Sequence, residues 1–333
     1  MESRVLITGG TGSLGRALVN HLLQAPYNGL VEKIIVLSRD EVKQDEMANE
    51  IGNNDRLQFF LGDVRDSHRL QLAFSRVGVV IHAAALKRVD KVCFNPLEVK
   101  KTNVDGTQNV LDAAMKCGVS KVVVVSSDKA CTPTNVYGAT KMLAEHLTTA
   151  YNVYSYPKGT KCSVVRYGNV FNSRGSVMQV WSEMVRNGVS LVPVTSLNMT
   201  RFIITLKQAA SLVCDKVVKY MQGGEIFVPR LPTMRLGDLV EAFDVKPVHM
   251  GLRPGGEKYH ETLITREEAD RTHLLLNGAT QTYYILPYMS PWRADPFPES
   301  RANISEYTSE FANLQLSVGD LHQLIREECQ LYV

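Results

Sequence analysis

Residues 126–141 read SSDKACTPTNVYGATK and contain several side chains of the types that move protons in enzymes. Tyr137 and Lys141 form a Tyr-x-x-x-Lys motif, whose spacing is about one helical turn, so both side chains lie on one helix face. A nearby ammonium favours the phenolate and lowers the pKa of the tyrosine. We therefore predict that Tyr137 accepts a proton from a substrate hydroxyl, to which Ser127 also hydrogen-bonds.

The same segment places a carboxylate and an amine next to each other, at Asp128 and Lys129. When an alcohol is oxidised to a ketone, the neighbouring C–H bond becomes acidic. A base can then remove that proton while an acid helps a β-hydroxyl to leave as water. Lys129 is the candidate base if burial and nearby cations bring its pKa near neutral, and Asp128 is the candidate acid if it is held protonated. The alternative is a surface ion pair on a loop.

A glycine-rich segment, ITGGTGSLG, connects the first predicted strand to the first predicted helix. Its G-x-x-G-x-x-G spacing permits a tight turn and a close approach of the backbone to a ligand. The helix N-terminus then offers free N–H groups to a pyrophosphate. Six residues of this loop are predicted to contact a dinucleotide: Gly9, Thr11, Gly12, Ser13, Leu14 and Gly15. The alternative is a structural turn in another kind of α/β protein.

The end of the second predicted strand, LSRDE, bears on the choice of dinucleotide. Sites that prefer NAD usually place an acidic side chain here to bind the ribose 2′-hydroxyl. In this chain Ser38 and Arg39 come first and Lys43 follows, and a guanidinium pairs well with a 2′-phosphate. We therefore favour NADP, held by these three residues. The alternative is that Asp40 takes the hydroxyl, Arg39 is a solvated surface charge, and the cofactor is NAD.

Further cofactor contacts are predicted where the third and fourth strands end. Asp63 and Val64 follow the third strand, at the expected position of the adenine. Ala83 and Ala85 follow the fourth strand, where small side chains leave room for the dinucleotide. His82 lies in the same segment, and we assign it a buried packing role.

Hydrophobic patterning predicts the scaffold that positions these motifs. Short β-branched runs alternate with segments of helical spacing in the first half of the chain. Continuous apolar strands separated by helices indicate a parallel sheet covered on both faces, so the expected fold class is α/β, a doubly wound Rossmann sheet. Six strands are predicted, at Val5–Thr8, Lys33–Leu37, Leu57–Leu61, Val79–Ala83, Lys121–Ser126 and Ser163–Tyr167.

The pattern changes after about residue 170, where strands become sparse and Gly, Pro and Arg cluster. We predict an NADP-binding Rossmann domain over residues 1–170 and a smaller C-terminal substrate-binding lobe over residues 171–333. This interpretation allows segments of the lobe to add strands to the main sheet. A last helix is predicted near Val318–Glu328.

Composition bears on the broad class of the protein. The 333 residues carry a formal charge of +3 without a basic run, so nucleic-acid binding has little support. No stretch reaches the roughly 18 apolar residues of a membrane span, and the first strand begins too early for a signal peptide. Six scattered cysteines without Cys-x-x-Cys argue against a zinc site or a disulfide frame. We expect a soluble cytoplasmic protein without a metal.

A set of motifs together resembles the inverting UDP-N-acetylglucosamine 4,6-dehydratases, extended short-chain dehydrogenase/reductases that supply sugars for bacterial flagellin and surface polysaccharides. The motifs are ITGGTGSLG, LSRDE, GDVRD, IHAAALK, NPLE, KTNVDGTQNV, SSDKACTPTNVYGATK, VVRYGNV, SRGSV, MTRF, GGEIFVP and RPGGEKYHE, and they cover nearly the whole chain.

The resemblance implies a reaction in stages. NADP oxidises carbon 4 with Tyr137 as base, Lys129 removes the carbon 5 proton, and Asp128 protonates the departing carbon 6 hydroxyl. Hydride then returns to carbon 6 and a proton returns to carbon 5 from the opposite face. The implied product is a 4-keto-6-deoxy sugar nucleotide with carbon 5 inverted. The cofactor is regenerated in each turnover, so tight binding is expected.

The resemblance also implies the ligand contacts and the assembly. The substrate is UDP-N-acetylglucosamine, and related enzymes form dimers or larger rings, so a homo-oligomer is expected. The implied substrate contacts are Lys87, Ser127, Asn169, Ser173, Arg174, Gly175, Ser176, Arg201, Arg253 and Glu257, and Lys87 also approaches the cofactor. The alternative for the arginines is structural pairing with backbone carbonyls.

The chain departs from the family pattern at a few positions. The family commonly has RPGEK where this chain has RPGGEK, and the extra glycine shifts Glu257 relative to Arg253. Arg88 stands where a histidine is common, while Cys93 and Phe94 lie in the region of a common glutamate.

Three other functions compete with an inverting dehydratase. Two are enzymes, a retaining dehydratase and a UDP-sugar 4-epimerase; the third is a catalytically silent NADP-binding sensor or scaffold. Related retaining dehydratases carry Asp-Glu where this chain has Asp-Lys, so Lys129 favours the inverting branch. A silent protein is disfavoured because Tyr137, Lys141 and the Asp–Lys pair are all present.

Overall fold

The structure is a computed structural model and describes residues 4–24, 26–27, 29–156, 159–252, 255–275, 281–287, 300–329 and 331. Its strands are β1 Arg4–Thr8, β2 Lys33–Ser38, β3 Leu57–Leu61, β4 Val79–His82, β5 Lys121–Val125, β6 Lys161–Val165, β7 Asn169–Val170, β8 Leu191–Val194, β9 Thr200–Ile204, β10 Ile226–Pro229, β11 Thr233–Arg235, β12 Lys246–His249, β13 Thr262–Ile264, β14 Thr272–Leu275, β15 Thr282–Ile285 and β16 Tyr307–Thr308.

Its α-helices are α1 Ser13–Leu23, α2 Glu41–Ile51, α3 Ser67–Ala73, α4 Val89–Val92, α5 Pro96–Lys100, α6 Gly106–Lys116, α7 Val136–Ala150, α8 Asn152–Ser155, α9 Val177–Arg186, α10 Leu206–Ser211, α11 Val218–Tyr220, α12 Leu236–Ala242, α13 Arg266–Ala269 and α14 Val318–Cys329. A short 3₁₀ helix covers Asp128–Ala130. Two π-helical stretches join neighbouring helices, Lys101–Asp105 between α5 and α6 and Leu212–Val217 between α10 and α11.

Parallel strands form the centre of the molecule in the order β10-β6-β5-β4-β1-β2-β3. Two antiparallel strands, β15 and then β14, extend the β10 edge. The strand order reverses direction between β1 and β4, and ligands of open α/β sheets bind beyond the carboxyl ends of the strands at such a point. The predicted doubly wound α/β fold is confirmed.

Burial explains why these segments form a parallel sheet. The residues of β4 and the valines of β5 are buried, as expected for strands covered on both faces. Helix α1 buries Leu18, Val19 and Leu22, which lie on one stripe at helical spacing. All six predicted strands are found; the sixth ends at Val165, two residues earlier than predicted. The predicted last helix is also found, as α14.

A second hydrophobic core lies in the C-terminal half, where α9, α12 and α14 meet. Trp181 and Phe243 pack edge to face there, with ring centroids 5.8 Å apart. The small sheets β11-β9-β7 and β12-β8 also belong to this half. However, β10, β14 and β15 join the main sheet, and α10 packs against α1. The division at residue 170 stays a prediction.

A buried ion-pair cluster ties the two halves of the chain together. Arg166, directly after β6, is 3% exposed and binds Glu145 of α7 and Glu268 of α13 with both ends of its guanidinium. It also donates to the carbonyl of Leu263, at 2.9 Å. The cluster therefore fixes the helix that carries Tyr137 against the C-terminal segment.

The described ranges contain neither a candidate membrane span nor a candidate metal cluster. None of their helices combines the length and apolar character needed to cross a bilayer. No three His, Cys, Asp or Glu side chains in those ranges are grouped closely enough to hold a metal ion.

Candidate active site

A cleft of about 1640 Å³ opens beyond the carboxyl ends of the parallel strands. Its walls include the residues that directly follow five strands of the main sheet: Gly9, Arg39, Gly62, Ala83 and Ser126.

The cleft gathers nearly all of the predicted site residues. Its lining includes Gly9, Thr11, Gly12, Ser13, Leu14, Gly15, Ser38, Arg39, Lys43, Asp63, Val64, Ala83, Ala85, Lys87, Ser127, Lys129, Tyr137, Lys141, Asn169, Ser173, Arg174, Gly175, Ser176, Arg201 and Glu257. Asp128 does not line the cleft, because it is wholly buried between Ser127 and Lys129. Arg253 lies outside the described residues.

The glycine loop has the close contacts that its spacing predicts. Gly9 has a φ of +67°, and a Cβ atom there would lie 2.8 Å from Cα of Ala84. At Gly15 a Cβ atom would lie 2.3 Å from the carbonyl oxygen of Gly10, so α1 can pack closely on the loop only without a side chain. Gly12 is the N-cap of α1 and has no side chain that could cap the helix. The first N–H groups of α1 are therefore available to a ligand in the cleft.

Charged side chains surround the predicted adenosine end of the cleft. Asp40 is the N-cap of α2, where it accepts hydrogen bonds from the backbone N–H and the ammonium of Lys43. Its carboxylate is thus already engaged by the protein. Arg39 is half exposed, and its guanidinium lies 3.7 Å from the carboxylate of Asp63. Arg39 and Lys43 therefore both lie at the strand end, each beside a carboxylate of the protein.

His82 has the packing role assigned to it. Its ring nitrogens lie 2.7 Å from the hydroxyl of Thr8 and 3.1 Å from that of Thr107. Burial lowers the pKa of His82 to about 3, so the imidazole is neutral.

The segment 173–176 brings the C-terminal half to the glycine loop. The backbone N–H of Arg174 donates to the hydroxyl of Ser13 at 3.2 Å. Ser176 is the N-cap of α9. Burial, together with the charge of Arg174, lowers the pKa of Lys87 on the facing wall. Two cations therefore face each other across this part of the cleft.

Asp128 of the Asp–Lys pair is wholly buried and the Lys129 side chain is 24% exposed, so the alternative of a surface ion pair is wrong. Asp128 is 0% exposed, and its Oδ1 accepts from the hydroxyl of Ser127 at 2.7 Å and from the Lys129 ammonium at 2.9 Å. Its Oδ2 is buried without a hydrogen-bond partner among the described residues. The Lys129 ammonium also donates to Oδ1 of Asn169 at 2.9 Å.

The electrostatics of the pair agree with one expectation and contradict the other. Burial raises the pKa of Asp128, and the carboxylate of Glu261 adds to this shift, which favours the protonated acid. For Lys129, burial favours the neutral amine, but the charges of Asp128 and Glu261 outweigh it and raise the pKa. The expectation of a near-neutral pKa for Lys129 is therefore wrong for the protein alone, because the carboxylates of Asp128 and of Glu261, which is remote in sequence, both lie beside it.

Tyr137 and Lys141 lie on the buried face of α7, as their spacing predicts. Burial raises the pKa of Tyr137 to about 12, although the Lys129 charge opposes the shift. Burial lowers the pKa of Lys141 to about 8, and its ammonium donates to the carbonyl of Val125 at 2.7 Å. The predicted lowering of the tyrosine pKa by Lys141 is thus wrong for the protein alone, because desolvation is the larger effect.

Two predicted substrate contacts have protein partners. The guanidinium of Arg201 donates to the carbonyls of Thr200, Lys258 and Tyr259 at 2.7–3.0 Å. This is the backbone pairing named as the alternative for the arginines, although Arg201 also lines the cleft. Glu257 accepts from the hydroxyl of Thr195 at 2.7 Å.

Sequence reasoning missed Glu261 and Lys258, which lie at the reactive pair. Oε1 of Glu261 is 3.3 Å from Nζ of Lys129, and its Oε2 is 3.5 Å from Nζ of Lys258. Lys258 also donates to the carbonyl of Cys131 at 2.6 Å. The available signal was the motif RPGGEKYHE, which contains both residues and to which only Arg253 and Glu257 had been assigned.

Two of the departures from the family pattern, the glycine pair of RPGGEK and Arg88, lie at the cleft. Gly255 and Gly256 have φ values of +100° and +81°, so the extra glycine takes a conformation that other residues rarely adopt. A Cβ atom on Gly255 would lie 2.8 Å from the side chain of Val89. Arg88 is exposed and pairs with Asp90 at 3.2 Å.

The chain is similar in sequence to two groups of enzymes and in structure to a solved protein. It is 44% identical over 271 residues to a UDP-N-acetylglucosamine 4,6-dehydratase (inverting) of Campylobacter jejuni, covering 81% of this chain and 79% of the relative. It is 37% identical over 293 residues to a UDP-glucose 4-epimerase of Rickettsia conorii, covering 86% and 83%. The X-ray structure of Pen from Bacillus thuringiensis matches with a TM-score of 0.85 and 35% identity, covering 97% and 98%.

The family described as polysaccharide biosynthesis protein matches residues 5–279, which is most of the chain. The resemblance drawn from the motifs is thereby confirmed. On this match and on the identity to the Campylobacter relative, the chain belongs to the polysaccharide biosynthesis protein family.

Proposed function

We propose that the protein is an NADP-dependent UDP-N-acetylglucosamine 4,6-dehydratase that inverts carbon 5. The observation that carries the proposal is the contact of the wholly buried Asp128 with Lys129, which lines the same cleft as Tyr137 and the glycine loop. The name of the Campylobacter relative supports the substrate and the inversion.

The residues present fit a dinucleotide, and the choice of NADP rests on the charges at the end of β2. Gly9 and Gly15 let the glycine loop pack against Ala84 and Gly10 where a Cβ atom would clash, and α1 offers its N-terminus to a pyrophosphate. Arg39 and Lys43 suit a 2′-phosphate, whereas Asp40 is engaged as a helix cap. When bound, the dinucleotide accepts hydride from carbon 4 and returns it to carbon 6 of the same sugar.

The tyrosine begins the reaction in this proposal. Tyr137 takes the proton of the carbon 4 hydroxyl, and its hydrogen bond with Ser127 and the charge of Lys129 both favour the phenolate. A positively charged nicotinamide acts in the same direction, against the desolvation that keeps the phenol neutral in the protein alone. The ammonium of Lys141 comes from the same buried face of α7 as Tyr137.

The Asp–Lys pair then carries out the elimination. The carbon 4 ketone makes the carbon 5 proton acidic, and the Lys129 amine removes it. Asp128, kept neutral by burial, gives a proton to the carbon 6 hydroxyl, which leaves as water. A proton delivered to carbon 5 from the opposite face gives the inverted product.

The remaining cations suit an anionic nucleotide sugar. Arg174 and Lys87 line the part of the cleft next to the glycine loop, and Arg201 lines the wall near Lys129. We assign the diphosphate to these groups and the uridine side to Glu257, with Arg253 as a further expected contact. Asn169 holds Lys129 and borders the sugar. A cytoplasmic homo-oligomer remains our expectation.

A UDP-sugar 4-epimerase is the second candidate, because relatives with that name are 37% identical to the chain. An epimerase needs the tyrosine but neither an acid nor a second base. Asp128 is buried at the cost of desolvation and held beside Lys129, which favours a role that uses both groups.

The experiment is incubation of the purified protein with UDP-N-acetylglucosamine and no added reductant, followed by mass spectrometry. We expect a product that has lost one water from the sugar. Lys129→Ala should form at least about 100-fold less product, the lower end of what a positioned proton-transfer group contributes. The exposed Lys100→Ala is the matched control. A product of unchanged mass with an inverted carbon 4 would identify an epimerase instead.

A further inference from the structure

Glu261 is a buried carboxylate aimed at the candidate base. Its side chain is 4% exposed, and Oε1 lies 3.3 Å from Nζ of Lys129. Two other cations are close, since Nε of Arg201 is 3.9 Å from Oε1 and Nζ of Lys258 is 3.5 Å from Oε2. The backbone N–H of Glu261 donates to the hydroxyl of Ser309 at 2.8 Å, which fixes the residue just before β13.

Three protein oxygen atoms surround the Lys129 ammonium. It donates to Oδ1 of Asp128 at 2.9 Å and to Oδ1 of Asn169 at 2.9 Å, and it forms an ion pair with Oε1 of Glu261 at 3.3 Å. An ammonium has no lone pair, so Lys129 must lose one proton before it can act as a base. An amide oxygen is a poor proton acceptor, which removes Asn169. Asp128 is already neutral if it acts as the acid, and this leaves Glu261.

We propose that Glu261 is the proton acceptor that activates Lys129, an inference that rests on the dehydratase function proposed above. One N–H bond of the Lys129 ammonium breaks, its electron pair stays on nitrogen, and an O–H bond forms at Oε1 of Glu261. The pair changes from ammonium and carboxylate to amine and carboxylic acid without a change in total charge. The freed lone pair then takes the proton of carbon 5.

The surroundings determine when this transfer occurs. The titratable and charged groups that face the pair are Asp128, Tyr137, Arg201 and Lys258. At rest, Lys129 and the two other cations outweigh burial and lower the pKa of Glu261, so the ion pair is the resting form. Burial by itself acts in the opposite direction, since it raises the pKa of Glu261 and lowers the pKa of Lys129. A substrate that fills the cleft and excludes water therefore favours the neutral pair.

The same contacts restore the resting charges. Asp128 becomes a carboxylate when it releases its proton to the departing hydroxyl. Lys129, which has taken the carbon 5 proton, passes it to Asp128 across the 2.9 Å contact. Lys129 then recovers its original proton from Glu261. Because the carbon 5 proton ends on Asp128, the proton that returns to carbon 5 comes from another donor, as an inversion requires.

The test compares wild type with Glu261→Gln, in which the amide cannot take the proton. Deuterium incorporation at carbon 5 is measured by NMR from about pH 6 to about pH 9. Wild type is expected to be nearly independent of pH around neutrality. The variant is expected to be about 100-fold slower near neutral pH and to recover as the pH rises, because solvent must then deprotonate Lys129. Glu261→Asp keeps a proton acceptor and should be slower but as flat as wild type.

The outcomes separate this inference from the proposed function. If Glu261 only holds Lys129 in its charged form, Glu261→Gln makes the free amine more abundant. Exchange near neutral pH would then equal or exceed wild type, which would overturn the inference and leave the dehydratase intact. If wild type itself incorporates no deuterium at carbon 5, the proposed function fails and the inference fails with it.

Two controls keep a folding defect from being mistaken for lost proton transfer. Thermal unfolding and dinucleotide binding are measured for each variant, and Glu306→Gln removes a partly exposed carboxylate that pairs with the exposed Arg266. If Glu261→Gln does not fold, the Glu261→Asp profile decides: a flat profile supports the proposal, and a rise with pH contradicts it.

Discussion

Replacing Arg166 by methionine should destabilise the protein strongly and in a pH-dependent way. The guanidinium makes two hydrogen bonds to Glu145, at 3.0 and 2.6 Å, and two to Glu268, at 2.8 and 2.9 Å. Methionine keeps the apolar stem but leaves two buried carboxylates facing each other without a cation. Breaking a buried pair in this way costs about 3–5 kcal/mol. We expect a loss of that size in the free energy of unfolding near neutral pH.

The sign of the pH effect follows from Glu268. In wild type, burial opposes ionisation of Glu268, but Arg166 outweighs it and lowers the pKa. The resulting stability is present above the ordinary glutamate pKa and is lost as the pH falls towards the lowered value. In the variant Glu268 lacks its cation, so burial raises its pKa above the ordinary value of ~4.3. Lowering the pH from about 7.5 to about 5 protonates Glu268 and should reduce the difference between variant and wild type.

Urea unfolding of both proteins at the two pH values is the assay, with Arg266→Met as the matched control. Arg266 is 77% exposed and pairs with Glu306 at 3.3 Å, so its loss should leave the unfolding midpoint nearly unchanged. A loss below about 1 kcal/mol for Arg166→Met, or a loss that is the same at both pH values, would refute this account of the cluster.

Three further variants test the site. Arg39→Ala should weaken NADP binding by about 10- to 150-fold and leave NAD binding nearly unchanged, measured by fluorescence titration; equal losses would favour NAD as the cofactor. Gly15→Ala places a Cβ atom 2.3 Å from the Gly10 carbonyl and should lower the dinucleotide affinity, measured by calorimetry, at least about 10-fold. Gly319→Ala on α14 is the control and should leave the affinity unchanged. An unchanged affinity for Gly15→Ala would contradict the close approach of the loop. Asp128→Asn should still oxidise carbon 4 but release water at least about 100-fold more slowly in quenched-flow assays, and unslowed release would remove Asp128 as the acid.

Local pattern was enough for the scaffold and for the position of most site residues. The alternation of apolar strands with helical stripes predicts the parallel sheet, because each strand must be covered on both faces. Parallel strands place their carboxyl ends at one edge, so motifs that follow strands meet there. Gly9 and Gly15, after β1, and the Ser127–Lys129 segment, after β5, therefore line or border the same cleft.

The electrostatics could not be predicted from local pattern. The pKa of Lys129 depends on Glu261, which is remote in sequence and reaches the cleft only through the fold. The pKa of Tyr137 depends on how completely α7 is buried, which spacing does not report. Arg201 donates to the carbonyls of Lys258 and Tyr259, which are distant in sequence, and a motif match does not indicate these contacts.

The most direct test of the central claim is NMR of the product formed from UDP-N-acetylglucosamine in D₂O, with wild-type protein and no added reductant. The account predicts a 4-keto-6-deoxy sugar nucleotide with one deuterium at carbon 5 and that carbon inverted. A dehydrated product with carbon 5 retained would contradict the assignment of Lys129 to an inverting reaction. A sugar altered only at carbon 4 would contradict dehydration itself.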